Sequence, residues 1–230
     1  GVASTGVIGS LLPIDKVRAG IKEAIKNLAP NDLPAAKAIM TTDTIEKTAG
    51  LQLEISGQRV AIGGIAKGSG MIHPKMATML AFVTTDVAIS QEALQFAVSE
   101  ANKVSFNMIT VDGDCSSNDM LLVMANGIAG NPPITSVDHP DWQVFYQGLE
   151  AICIDLAKKI ARDGEGATKL LEIQVTGARS VEQARIAARE TCRSPLVKSA
   201  VFGADANWGR IACALGSSGA HIDPKALSIS

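Results

Sequence analysis

The residues best placed to do chemistry lie between Gly63 and Asp86. The first half, Gly63-Gly64-Ile65-Ala66-Lys67-Gly68-Ser69-Gly70, is rich in glycine and carries one lysine. The second half, from Thr78, is apolar enough to be a buried strand, and Ala77-Thr78 sits at its mouth. Thr78 has two readings. As a β-branched residue opening a strand it needs no chemistry. If the Ala77–Thr78 bond is cut, the new α-amine lies on the same residue as the hydroxyl and can take its proton, which activates an otherwise poor nucleophile. An α-amine titrates near pH ~8, so part of it is neutral and basic at physiological pH. Glycines ahead of the bond let the backbone bend tightly toward an attacking hydroxyl. Two other uses of a glycine-rich run fail here. A phosphate loop places its lysine after the last glycine and before Ser or Thr, whereas Lys67 precedes Gly68-Ser69. A dinucleotide fingerprint needs a third glycine, where this chain has Met71-Ile72-His73 after Gly70.

Elsewhere, Val2-Ala3-Ser4-Thr5-Gly6 is small, hydroxylic and flexible. It reads as a turn or as a cradle of backbone N–H groups. Asp112-Gly113-Asp114-Cys115-Ser116-Ser117-Asn118-Asp119 is dense in aspartate but lacks the sixth-position glycine and twelfth-position glutamate of a calcium loop. It is expected to be a loop held by local side-chain-to-backbone bonds. Cys115, Cys153, Cys192 and Cys213 form no C-x-x-C pair and His73, His139 and His221 are scattered, so no metal cluster is expected. The cysteines are expected to be small buried residues. Glu165, between Gly164 and Gly166, reads as a solvated turn residue.

The 230 residues carry a formal charge of −2, with 47% apolar and 3% aromatic residues. That composition predicts a packed globular core and argues against nucleic acid as partner. No apolar run approaches the ~20 residues of a membrane span, so no membrane partner is expected. Unpaired cysteines fit a reducing, cytoplasmic setting. The chain starts at Gly1 without methionine and stops at Ala226-Leu227-Ser228-Ile229-Ser230, which reads like the start of an element, so both ends look cut from something longer.

The elements that must position these residues follow from periodicity. Helices are expected over Pro13–Leu28, Pro34–Met40, from Ser90, over Met120–Ala125, Pro140–Arg162, from Ser180 to Arg193, and over Ile211–Leu215. Ser90 is an expected N-cap and Ser180-Val181-Glu182-Gln183 a capping box. Strands are expected over Leu51–Ile55, Arg59–Ile65, Thr78–Ile89, Phe106–Val111, Thr168–Val175 and Val197–Phe202, with Ser56-Gly57-Gln58 as a tight turn. Interspersed strands and helices point to a layered α/β or α+β domain.

Several motifs, in order along the whole chain, carry a resemblance. They are Ser4-Thr5-Gly6-Val7-Ile8-Gly9, Ala38-Ile39-Met40-Thr41-Thr42-Asp43, Gly64 to Ile72, Met76-Ala77-Thr78-Met79-Leu80, Asn107 to Asp114, Asp163-Gly164-Glu165-Gly166-Ala167-Thr168-Lys169 and Ala206-Asn207-Trp208-Gly209-Arg210-Ile211. With them the sequence resembles the glutamate N-acetyltransferase / ornithine acetyltransferase family of arginine biosynthesis. The resemblance implies a precursor that cuts itself between Ala77 and Thr78. Residues 1–77 would be the C-terminal part of an α chain and 78–230 a β chain lacking its C-terminal segment, within a heterotetramer of two α and two β chains. It implies sheets sandwiched between helices, similar to N-terminal-nucleophile hydrolases but with a distinct topology. It implies acetyl transfer from N-acetylornithine to glutamate through an acetyl-threonine on Thr78, without a cofactor, some members also using acetyl-CoA as donor. Thr5 and Gly6 match the family's oxyanion-hole pair, and Thr41, Lys67, Thr78 and Glu165 its substrate-binding positions. An oxyanion needs donors aimed at it, and an amino-acid substrate offers a carboxylate for Lys67 and an ammonium for Glu165. The family begins before Gly1 and continues past Ser230, where it supplies an asparagine and a hydroxyl to the site. Two rivals remain at this point: an N-terminal-nucleophile aminopeptidase or amidase of the same fold, and a non-catalytic binding domain in which Thr78 is only a strand residue.

Overall fold

The computed structural model describes residues 3–7, 9–73, 79–115 and 118–230. Among them are seven α-helices: α1 (Ile14–Lys26), α2 (Leu33–Ala38), α3 (Gln91–Val104), α4 (Trp142–Arg162), α5 (Val181–Arg193), α6 (Pro195–Phe202) and α7 (Trp208–Ser217). The strands are β1 (Lys47–Ile55), β2 (Gln58–Lys67), β3 (Leu80–Thr85) and β4 (Met120–Ala125). They form one sheet in the order β1-β2-β3-β4. β1 and β2 make an antiparallel hairpin, β3 adds antiparallel to β2, and β4 adds parallel to β3. The hairpin turns through Ser56 and Gly57 at φ 49° and 75°, the two positive values that a two-residue type I′ loop requires.

The core lies between one face of this sheet and α4. Val60, Ile62 and Ala66 of β2 and Ala81 and Val83 of β3 alternate onto the buried face. Phe145, Leu149, Ile152, Cys153, Leu156, Ala157 and Ile160 form the matching helical stripe. α4 packs on β1 and β2 and against α3. Gly64 permits the approach, since a Cβ there would sit 3.1 Å from Leu156 Cδ1 and 3.0 Å from Val83 Cγ2. Ser90 caps as expected, its Oγ accepting from Ala93 N–H; Ser180 Oγ accepts from Gln183 N–H, but Gln183 Oε1 accepts from His221 N–H at 2.7 Å instead of completing the capping box.

Several elements differ from the sequence expectation. Met120–Ala125 is strand β4, not a helix: a six-residue apolar run has no helical period to enforce, and β3 supplies backbone partners along its length. Phe106–Val111 opens as a 3-10 turn over Phe106–Met108 rather than a strand. Val197–Phe202 belongs to helix α6, which Ser194 caps and Pro195 starts. Residues 168–175 form no strand, although Leu171, Ile173 and Val175 alternate in burial with exposed neighbours. The strand expected over Thr78–Ile89 is limited to Leu80–Thr85 among the described residues. Cys153 is buried as expected, but Cys115 and Cys213 are exposed.

α1 forms where predicted, yet none of its residues is buried and its Ile14, Val17, Ile21 and Ile25 face solvent. α5, α6 and α7 pack on one another. The expected plural sheets are a single sheet among the described residues, with α4 on one face. Among the described residues no helix is long and apolar enough to cross a membrane.

Leu156 is fully buried between α4 and the sheet. Leu156→Ala should lower the unfolding free energy by about 2–5 kcal/mol through lost burial and the cavity left behind. Urea denaturation reads this directly, and a change under about 1 kcal/mol would contradict α4 as the core helix.

Candidate active site

β2 delivers Lys67 to the end of the sheet. Ala66 pairs with Lys47 on the α4 side, so alternation turns Lys67 to the opposite face. Its side chain is buried, at 2% exposure, and its ammonium donates to Thr41 Oγ1 at 3.2 Å. Two residues singled out from the sequence, Thr41 and Lys67, are thereby brought together. Burial lowers the Lys67 pKa; Asp43 and then Asp119 oppose this, and Lys47 reinforces it.

A second buried lysine anchors this arrangement. Lys47 Nζ donates to Asp43 Oδ1 and to Asp163 Oδ2, each at 2.6 Å, and to Ile45 O at 3.2 Å. Asp43 also accepts Gly68 N–H at 2.7 Å and Thr41 N–H at 3.1 Å. Asp163 accepts Thr44 N–H at 3.0 Å, and the Thr44 hydroxyl donates to its other oxygen. Burial pushes both carboxyls up, but it is outweighed in each. For Asp43 the Gly68 N–H and Lys47 prevail, and for Asp163 Lys47 and Thr44, so both pKa values lie below the ordinary carboxylate range. Asp43 and Asp163 lie in separate motifs of the resemblance, but no spacing links either to Lys47. Asp43 and Lys47 lie four apart outside any helix, and Asp163 is 116 residues beyond Lys47.

The glycine-rich loop after β2 is tied to the turn after α4. Ser69 Oγ donates to Asp163 O at 2.7 Å, and Glu165 N–H donates to Ser69 O at 2.9 Å. The Glu165 carboxylate rests against Gly70, where a Cβ would lie 2.5 Å from Oε1. Lys67 and Glu165 therefore flank one short loop, Gly68-Ser69-Gly70. Glu165 is exposed, as its turn suggested, but it is held in place by that loop.

The polar loop 112–119 departs from the expectation of purely local bonds, since its described residues also bond far along the chain. Asp112 accepts Met71 N–H at 2.6 Å and Ile72 N–H at 3.1 Å, besides a local bond from Asp114 N–H. Met71 stands at φ 56°, a left-handed conformation uncommon for a side chain of its size, and the Asp112 bond holds it there. Asn118 Nδ2 donates to Ser4 O at 3.2 Å, and Asp119 Oδ1 accepts Met79 N–H at 2.9 Å. The loop thus joins the segment carrying half-buried Thr5 and exposed Gly6 to the start of β3. Ala77 and Thr78 lie outside the described residues. Among the described residues no group of His, Cys, Asp and Glu is arranged to hold a metal ion.

The Lys47 cluster has a definite pH signature. Because Asp43 and Asp163 have lowered folded pKa values, their contribution to stability is present above the unfolded carboxylate value of about 3.9 and is lost as pH falls through the lower folded values. Lys47→Met leaves two buried carboxylates without their cation, at a cost of about 3–5 kcal/mol near neutral pH. Both folded pKa values should then rise, although Gly68, Thr41 and Thr44 still bond the carboxylates, so the variant should gain less stability than wild type as pH rises. Urea midpoints from pH 3 to 7 check this, and parallel curves for the two proteins would contradict it.

Comparison with known proteins gives consistent matches. The model of the ArgJ family matches residues 1–230. The arginine biosynthesis bifunctional protein ArgJ of Symbiobacterium thermophilum is 60% identical over 225 residues, covering 97% of this chain and 56% of that protein. The protein of the same name from Geobacillus stearothermophilus is 55% identical over 229 residues, covering 99% of this chain and 56% of its own length. The chain therefore spans little more than half the length of these relatives. A crystal structure of the arginine biosynthesis bifunctional protein from Bacillus halodurans superposes with a TM-score of 0.61 at 54% identity, over 62% of this chain and 66% of that one. With its full length matched by the family model and these identities, the chain belongs to the ArgJ family.

Proposed function

We propose that the full-length protein moves an acetyl group from N-acetylornithine to glutamate through an acetyl-threonine on Thr78, after cutting itself at Ala77–Thr78. Residues 1–77 then belong to an α chain and 78–230 to a β chain, two of each assembling in the cytoplasm. The observation that carries this reading is the buried Lys67 ammonium bonded to Thr41, beside the loop that holds Glu165, in a chain of the ArgJ family. The name of the relatives, arginine biosynthesis bifunctional protein, supports the same substrate class. Acetyl-CoA is a second acetyl donor in this reading, and no cofactor takes part.

Each residue has a chemical task. Lys67 and Thr41 bind the α-carboxylate shared by both substrates, and Glu165 binds the side-chain ammonium of ornithine. The Thr78 hydroxyl oxygen attacks the acetyl carbonyl while its proton passes to the α-amine. The carbonyl electron pair moves onto oxygen, where Thr5 and Gly6 supply donors. As that pair returns, the C–N bond breaks and the departing ornithine nitrogen takes the proton. Glutamate nitrogen reverses the sequence and restores the free hydroxyl. An exposed, partly apolar second sheet face supports the layered arrangement of N-terminal-nucleophile hydrolases: Ile65, Phe82 and Leu122 lie in register there, with Leu122 and Met124 exposed.

Intact-mass measurement on purified full-length protein tests the proposal. Two chains are expected, the second starting at Thr78 and gaining one acetyl group when N-acetylornithine is added. Glu165→Gln should still be cut but should load acetyl from N-acetylornithine about 10- to 150-fold more slowly, the scale of one charge-assisted contact. A single uncut chain, or acetyl on another residue, would reject the threonine mechanism. An unchanged loading rate in the variant would return Glu165 to solvent.

A further inference from the structure

Gly70 and Gly166 lie on either side of Glu165 for different physical reasons. Gly166 stands at φ 70°, a left-handed conformation that suits glycine. Gly70 lies outside that region, so its own backbone does not bar a side chain. What bars one is Glu165. A Cβ on Gly70 would lie 2.5 Å from Glu165 Oε1, 2.6 Å from its Cδ and 2.8 Å from its Oε2. These are the three nearest atoms, all belong to one carboxylate, and all are well inside van der Waals contact.

The backbone on both sides of this contact is fixed. Glu165 N–H donates to Ser69 O at 2.9 Å, which lays the Glu165 backbone beside the Ser69–Gly70 peptide. Ser69 is buried, and its Oγ donates to Asp163 O at 2.7 Å, two residues before Glu165. The exposed Glu165 carboxylate then folds back over a residue with no side chain.

We propose that Gly70 is a positioning residue for donor selectivity: its bare Cα seats the Glu165 carboxylate where it meets the terminal ammonium of the acetyl donor. This deepens, and rests on, the assignment of Glu165 to the ornithine side chain made above. Gly70 acts through Glu165 and has no bond to make or break in the transfer. A methyl group at residue 70 must displace the carboxylate, because the two cannot share the space. The displaced atoms are the far end of a flexible side chain, so the backbone contacts can stay. At the other end of the same loop, Lys67 Nζ keeps its own bond to Thr41 Oγ1 at 3.2 Å. A change at residue 70 therefore acts on one charged end of the donor and leaves the α-carboxylate contact in place.

The test uses full-length wild type, Gly70→Ala, Glu165→Gln and the double variant, with N-acetylornithine and N-acetylnorvaline as donors. Norvaline has the carbon chain of ornithine without the terminal amine. Wild type should favour N-acetylornithine in kcat/KM by about 10- to 150-fold, the scale of one charge-assisted contact. Gly70→Ala should cut that preference by about 10-fold, chiefly through KM for N-acetylornithine, and change N-acetylnorvaline by less than about two-fold. In the Glu165→Gln background the same substitution should cost nothing further, because no charge remains to be displaced. The urea midpoint of Gly70→Ala should stay near that of wild type. An unchanged preference in Gly70→Ala would overturn the proposal. So would equal losses on both donors or additive losses in the double variant, which mean a disturbed loop and not a displaced carboxylate, and so would a Gly70→Ala protein that does not fold. A wild type that transfers acetyl from neither donor would reject the proposed function itself, and one that does not distinguish the donors would reject the role of Glu165; both are read before any variant is compared.

Discussion

A lysine ammonium buried with two carboxylates survives in a protein interior only when each charge is met by hydrogen bonds of good geometry. Lys47 satisfies that condition with Asp43, Asp163 and the Ile45 carbonyl, and the two carboxylates take up the N–H groups of Thr41, Gly68 and Thr44. The bonds come from four places: the segment after α2, the start of β1, the loop after β2 and the end of α4. The cluster thus acts as a joint, fixing where the sheet, the long helix and the glycine loop meet. Moving any one of these pieces would strand a buried charge, so the joint favours one arrangement over its neighbours.

The candidate site is a consequence of that joint. Gly68 N–H is held by Asp43, which sets the loop just past Lys67. The Asp163 carbonyl receives Ser69 Oγ, which seats the loop against the Glu165 turn. Gly70 has no Cβ, and so the Glu165 carboxylate can lie against it. Among the described residues Lys67 donates to Thr41, while Asp43, the acidic group acting most on Lys67, is engaged by Lys47. A buried cation with donor capacity to spare suits an incoming carboxylate. The polar loop 112–119 plays the corresponding part on the other side, through Asp112 on Met71 and Ile72 and Asp119 on Met79.

Much of this was legible in the sequence, but unevenly. The hairpin, α3, α4 and α5 announced themselves through alternation, a long apolar stripe and serine caps. Met120–Ala125 and Val197–Phe202 did not, because a short apolar run has no period of its own and takes the state its surroundings allow: strand beside β3 for one, helix after Ser194-Pro195 for the other. Thr41, Lys67 and Glu165 stand out through the family resemblance, and the structure puts Lys67 on Thr41 and Glu165 against the loop after β2. Asp43, Asp112 and Asp163 lie inside the motifs that carry the resemblance and Asp119 in the polar loop, but what they and Lys47 hold is not legible there, because their partners are distant in sequence or are backbone amides. Thr5 and Gly6 are placed only through their neighbour Ser4, and Ala77 and Thr78 lie outside the described residues.

The Lys47 cluster fixes the loop carrying the candidate site. Amide hydrogen exchange at Gly68 and Thr44 measures it most directly, since these N–H groups donate to Asp43 and Asp163. Both should exchange only through the global opening that also releases the β2 amides, with the same free energy. Rapid exchange at Gly68 and Thr44 while β2 stays protected would show a loop that moves independently of the cluster, and would contradict the account.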